Sequence, residues 1–203
     1  EIGMEHERAL DKLRANVSLK EFTTFKIGGP ARYFCEVSSV DRLQELISWA
    51  KNNGLRYFVL GNGSNILVSD EGFPGLVIKL VGDFKRIKVD EEAGFVEAGA
   101  GVMLPRLGMV LAKMGYDGFV YMCVIPGTVG GAVVINAGTT REGEIKDNFL
   151  SADVIGDDGA LTLYDKEKMG FGKRYSRLLK TKNVVLSARF RLTNKAETGE
   201  LMD

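Results

Sequence analysis

Two spacings of apolar residues divide the chain into helices and strands. Val40, Leu43, Leu46, Ile47 and Ala50 recur at helical intervals, which predicts a helix over Val40–Asn53. Ser38 and Ser39 offer N-cap oxygens at its start, and Gly54 suits the position just past its end. Leu104–Lys113 reads as a second helix that stops before Gly115, and the charged stretch Met4–Leu13, rich in helix formers, as a short N-terminal one. Strand chemistry falls on Ala31–Val37, Tyr57–Leu60, Ile66–Val68, Leu76–Leu80, Arg86–Val89, Phe95–Ala98, Ala152–Ile155, Leu161–Tyr164 and Val184–Leu192. Turns are expected at Gly72–Gly75, Glu91–Gly94 and Asp157–Gly159, with loop or edge structure over Leu19–Pro30 and a loop through Gly118. Helices set between clusters of strands predict an α+β fold. The expected division is an N-terminal helix in residues 1–15, lobes at 16–80 and 81–192, and a polar tail at 193–203.

Composition narrows the function more than the fold. With 203 residues the chain can bury a real core. Lys plus Arg and Asp plus Glu number 27 each, without basic or acidic blocks, which argues against nucleic acid as a partner. Cys35 and Cys123 sit in apolar contexts and read as small buried hydrophobes, and His6 stands alone in a charged stretch. So few soft or imidazole ligands predict no metal site. Residues 1–15 are charged and lack the apolar core of a signal peptide, and no apolar run approaches a membrane span. A cytoplasmic protein with no membrane partner is the expectation.

The chemistry concentrates in two glycine-rich segments. Leu60, Gly61, Asn62, Gly63, Ser64 and Asn65 follow a strand directly. Glycines there let backbone N–H groups surround an anion, and Ser64 and Asn65 add side-chain donors, a combination suited to a pyrophosphate. The loop feeds the short apolar run Ile66–Val68 rather than a helix, and there is no Gly-Lys-Ser/Thr, so neither a Rossmann loop nor a P-loop fits. The residues equally permit a hairpin turn on Asn62–Gly63. The second segment, Ile125–Gly138, contains four glycines among small and apolar residues. Pro126 stiffens its entry, and Gly127, Gly130 and Gly131 clear a surface for a flat ligand or for another backbone. Two such segments next to strands favour one elongated ligand.

These segments, with Phe22–Ala31, Val96–Val102 and Phe171–Ser176, resemble in order and spacing the UDP-N-acetylenolpyruvoylglucosamine reductase (UDP-N-acetylmuramate dehydrogenase, MurB) family over Asn16–Leu192. The resemblance implies a two-lobed FAD-binding module of the vanillyl-alcohol-oxidase (PCMH) type. It places the FAD pyrophosphate on Leu60–Asn65. It runs Ile125, Pro126, Gly127, Thr128, Gly130, Gly131 and Ala132 along the flavin, sets the strand near Val185 by the adenine, and makes Asn136 a further polar contact. It implies NADPH as hydride donor, an enolpyruvyl UDP-sugar of peptidoglycan precursor synthesis as acceptor, and Arg174 as the active-site arginine that holds the substrate carboxylate. The sequence departs from the family at Lys173, where a tyrosine is usual, and at Val120, where a glutamate is frequent. The family's C-terminal substrate domain, with its serine and glutamate, has no counterpart up to Asp203. A second expectation is therefore a FAD-binding module with another electron acceptor or without catalysis, and a third a non-enzymatic domain with ordinary glycine turns.

Overall fold

The computed structural model describes residues 12–139, 142–193 and 195. Of the helix expected at Met4–Leu13, only Lys12 and Leu13 are among the described residues, and neither is helical; His6 and nearly all of the tail from Thr193 lie outside them. The chain divides into two compact units, one running to Asp83 and including Asp157–Gly159, the other formed by Phe84–Gly156 and the chain from Ala160.

The first unit is a four-stranded sheet in the order β1-β2-β4-β3, made of β1 (Arg14–Ser18), β2 (Pro30–Val37), β3 (Tyr57–Val59) and β4 (Phe73–Leu80). The strands β2 and β3 both run parallel to β4, while β1 is antiparallel to β2. Helix α1 (Val40–Asn52) forms where the 3.6-residue pattern lies, and buries Leu43, Leu46, Ile47, Trp49 and Ala50. The Ser39 side chain accepts from the Arg42 amide at 3.4 Å. At the other end Gly54, at φ +64, lets its own amide reach Lys51 and that of Leu55 reach Ala50. Trp49 meets the Tyr33 ring edge-on at 5.3 Å, which seats α1 on β2.

Four sequence expectations in this unit are corrected. The strand β1 carries no clear alternation and was not anticipated; it forms by pairing with β2. Ile66–Val68 is not a strand. Ile66 and Val68 pack against the core of Leu19, Ala31, Phe34, Leu60 and Val77, and Leu67 faces out, so the side chains alternate as in a strand without a ladder partner. The turn falls earlier than expected, on Asp70 and Glu71, and is closed by the Gly72 amide donating to the Ser69 carbonyl at 2.9 Å, while β4 already begins at Phe73. Pro74 is accommodated there because the β2–β4 register slips between Ala31–Phe73 and Tyr33–Leu76. Part of the Leu19–Pro30 region, Leu19–Phe22, winds into a 3-10 turn.

The second unit is an antiparallel five-stranded sheet in the order β10-β9-β11-β6-β5. Its strands are β5 (Ile87–Asp90), β6 (Phe95–Gly99), β9 (Phe149–Ile155), β10 (Leu161–Asp165) and β11 (Val184–Arg191). Helix α2 (Leu104–Lys113) starts with Pro105 in its first turn and buries Leu104, Leu107 and Leu111. The expected loop through Gly118 is instead a 3-10 segment, Asp117–Val124, which packs so tightly on α2 that a Cβ at Gly108 would lie 2.9 Å from the Cys123 nitrogen. Cys35 is fully buried as expected, whereas Cys123 is only partly so. Glycine-rich chemistry also hid helix α3 (Val129–Val134), because three of its six positions are valine and two are glycine, all poor helix formers. Its formation rests on the Thr128 cap and on burial of Val129, Ala132 and Val133. Beyond it a two-residue ladder joins β7 (Gly138–Thr139) to β8 (Gly143–Glu144), followed by one turn of helix, α4 (Ile145–Asn148), and later by α5 (Lys166–Met169).

Candidate cofactor site

In the first unit the loop Gly61–Asn65 leaves β3 and cannot be a hairpin turn, because β3 and the next strand, β4, run parallel. The Asn-Gly pair therefore serves the loop itself. Leu60 is buried in the core and its amide donates to Ile78, which fixes where the loop begins. Gly63 adopts φ +66, and a Cβ there would stand 2.1 Å from the Phe22 carbonyl oxygen; its own carbonyl accepts from the Thr24 amide at 3.0 Å. The loop is thus moulded on the Phe22–Thr24 backbone. Among the described residues, no protein acceptor takes the amides of Gly61–Asn65. Asn62 and Asn65 are exposed, and the Asn62 amide reaches the Ser64 hydroxyl at 3.2 Å. Free backbone donors around a positive-φ glycine fit an anionic pyrophosphate. A mostly apolar cavity of about 370 Å³ adjoins this loop, walled by Leu60, Ile66, Val68 and Phe73 among others, with Ser69 as its polar side chain; such a lining suits hydrocarbon better than a phosphate.

In the second unit the glycines separate into two kinds. Gly130 is a packing glycine: a Cβ would lie 2.9 Å from that of Ala100. Gly127, at φ +125, has open space where a side chain would project, and at Gly131 only the Thr128 hydroxyl comes within 3.6 Å. Pro126 is exposed and Ile125 half-buried, while Thr128 and Ala132 are nearly covered. The amides of Gly127 and Thr128 meet no acceptor among the described residues. A bare backbone strip with unspent donors suits a flat polar ring, so the residues present fit a flavin.

Two expected contacts stand differently. Val185 is buried in β11 opposite Val154, leaving its side chain inside the unit. Asn136 is wholly buried at φ +47, and its amide donates to Glu144 Oε2 at 2.7 Å and to the Gly172 carbonyl at 2.9 Å, while Oδ1 accepts from the Lys146 amide at 2.9 Å. Its side chain is thus committed to the protein.

Arg174 stands exposed at the third position of the turn Gly172–Tyr175, whose end residues exchange backbone hydrogen bonds of 2.9 and 3.2 Å. It adopts φ +52, and Lys173 before it does not share that positive φ, the pattern of a type II turn. Ser176 is fully buried and donates to the Val134 carbonyl at 2.6 Å, so it is not a surface proton donor. Glu144 is the group that inspection of single residues passed over, although Glu144 and Asp147 carry the spacing of a capping box and form one at the start of α4. The Lys146 ammonium, at 3.0 Å, holds the Glu144 carboxyl below the usual glutamate range, helped by the Asn136 amide and the Arg174 charge. Among the described residues no cluster of His, Cys, Asp or Glu could hold a metal ion, and no helix is long and apolar enough to cross a membrane.

A family described as FAD binding domain matches residues 31–163. That is most of the chain and spans both glycine segments, so this protein belongs to the FAD-binding domain family. Within that class its similarity is to the UDP-N-acetylenolpyruvoylglucosamine reductases. The enzyme of that name from Caldicellulosiruptor saccharolyticus is 41% identical over 193 residues, which cover 93% of this chain and 61% of the relative. The one from Protochlamydia amoebophila is 38% identical, covering 94% and 62%. The crystal structure of the Thermus caldophilus reductase (MurB) superposes with a TM-score of 0.76 at 39% identity, over 91% of this chain and 64% of that one. Phl p 4.0202, a glucose dehydrogenase, shares the fold with a TM-score of 0.67 at 14% identity. The chain spans about three fifths of the length of the curated relatives it matches.

Proposed function

We propose that this chain is the FAD-holding part of an NADPH-dependent reductase of an enolpyruvyl UDP-sugar, acting in peptidoglycan precursor synthesis. The observation that carries the reading is the pairing of a bare, donor-bearing strip at Gly127–Gly131 with an exposed arginine on a strained turn in the same unit. Gly61–Asn65 would take the pyrophosphate through backbone amides. Ile125, Pro126, Gly127, Thr128, Gly131 and Ala132 would line the ring system, with Gly130 keeping the strip close to Ala100. Asn136 and Val185 would support this surface from behind rather than touch the cofactor through their side chains. Bound FAD would supply hydride transfer from NADPH to one enolpyruvyl carbon, and the enolate so formed would take a proton, ultimately from water, at the neighbouring carbon. Arg174 would hold the substrate carboxylate in a two-pronged hydrogen bond and favour the negative charge that builds on it as hydride arrives. Its fixed charge raises no demand for a nearby base.

The test is spectroscopic. Purified protein titrated with FAD is expected to develop the bound-flavin absorption band, NADPH to bleach it, and the enolpyruvyl UDP-sugar to restore it. A flavin that is bleached by NADPH but never restored by that substrate would assign the module to another acceptor. Arg174→Ala is expected to slow the restoration while leaving the bleaching intact.

A further inference from the structure

Asn136 and Ser176 are both completely buried, and both reach across between the glycine-rich segment and the turn that carries Arg174. The Ser176 hydroxyl donates to the carbonyl of Val134, the last residue of α3, at 2.6 Å. Asn136, two residues further on, donates to the Gly172 carbonyl at 2.9 Å. The turn is therefore held at both ends to three consecutive residues, Val134–Asn136. The clamp is braced: the second Asn136 amide proton goes to Glu144 Oε2, and the Asn136 oxygen takes the Lys146 amide. Both Asn136 and Arg174 sit at positive φ, at +47 and +52, a conformation that side chains other than glycine adopt at some cost. Buried polar groups with this many partners rigidify what they join, and a surface arginine needs no such anchoring for solubility.

We propose that Asn136 and Ser176 are positioning residues that fix Arg174 at a set distance from the glycine strip of α3, and so hold its guanidinium in register with whatever lies on that strip. The inference rests on the role proposed above for Arg174. It adds how that role is enforced: through the same short segment that faces the cofactor, so that cofactor surface and arginine move as one body.

Asn136→Gly is the suitable probe, because glycine accepts the positive φ while deleting the cross-link; Ser176→Ala serves as the second variant should the first not fold. Hydrogen exchange is expected to accelerate at the Gly172 and Tyr175 amides in either variant while the amides of β6 and β11 keep their protection. Each variant is saturated with FAD before its reoxidation is followed. Reoxidation of the reduced flavin by the enolpyruvyl UDP-sugar should slow by on the order of 100-fold, as small misplacements of a positioned group do. Combined with Arg174→Ala, neither variant should slow reoxidation further. Unchanged exchange at Gly172 and Tyr175, or losses that multiply in the double variants, would overturn the clamp. A normal rate in Arg174→Ala alone would instead refute the role of the arginine, and the exchange measurement would then decide the clamp by itself.

Discussion

Glycines that look equivalent in the chain do different work. Gly63 is needed by the protein, since a side chain would enter the Phe22 carbonyl and φ +66 excludes a β-branched residue. Gly131 is open on its side-chain face and lies within α3, where glycine costs about 1 kcal/mol relative to a good helix former. The two therefore predict opposite effects on the flavin-free protein. Gly131→Leu is expected to leave its thermal unfolding unchanged or slightly raised while abolishing flavin retention, because the new side chain covers the strip. Gly63→Val is expected to lower the melting temperature and lose flavin together. Flavin-to-protein ratios and melting curves of both variants check this; retained flavin in Gly131→Leu would remove the strip from the site. Asn136 carries the same lesson in reverse. It suggests a ligand contact by residue type, yet its buried amide is spent on Glu144, Gly172 and Lys146, and residue type alone does not reveal where a side chain finds its partners.

At the scale of elements, α1 and α2 were legible because their burial pattern and end signals agree, from Ser39 and the Gly54–Leu55 exit to Pro105. Helix α3 was not, because its sequence, Val-Gly-Gly-Ala-Val-Val, opposes helix formation and the helix exists only through burial and the Thr128 cap. The single turn α4 depends likewise on its ends, and its N-cap Glu144 links to Asn136. With its carboxyl held below the ordinary glutamate range, about 4.3, Glu144 adds stability that is fully present above that range. The contribution fades as the pH falls through the lowered value in the folded protein, where the carboxylate finally takes a proton. Glu144→Gln should accordingly cost stability near neutrality, with the difference from the unsubstituted protein shrinking in acid. Denaturant unfolding at both pH values measures it, and a gap that stays constant would mean the charge of Glu144 does not matter.

For the whole molecule, membership of the FAD-binding domain family and the reductase-like sequence lead to one thermodynamic expectation. A cofactor that binds only the folded state raises stability by about 2.7 kcal/mol at a hundredfold excess over its dissociation constant. The melting temperature should climb with added FAD, and adenosine diphosphate should reproduce part of the rise if Gly61–Asn65 holds the pyrophosphate. A melting temperature indifferent to both would contradict flavin binding at these loops. What the sequence by itself determined was most of the helices and strands, the two glycine segments and the kinship that joins them, because periodicity, turn chemistry and motif order are local and linear properties. Only the tertiary structure decided that β3 and β4 run parallel, which removes the hairpin reading of Asn62–Gly63. It also sorted packing glycines from open ones, and it joined Val134–Asn136 to the turn of Arg174. Each of those facts depends on which distant backbone a residue meets, and that is settled when the strands pair and the core closes.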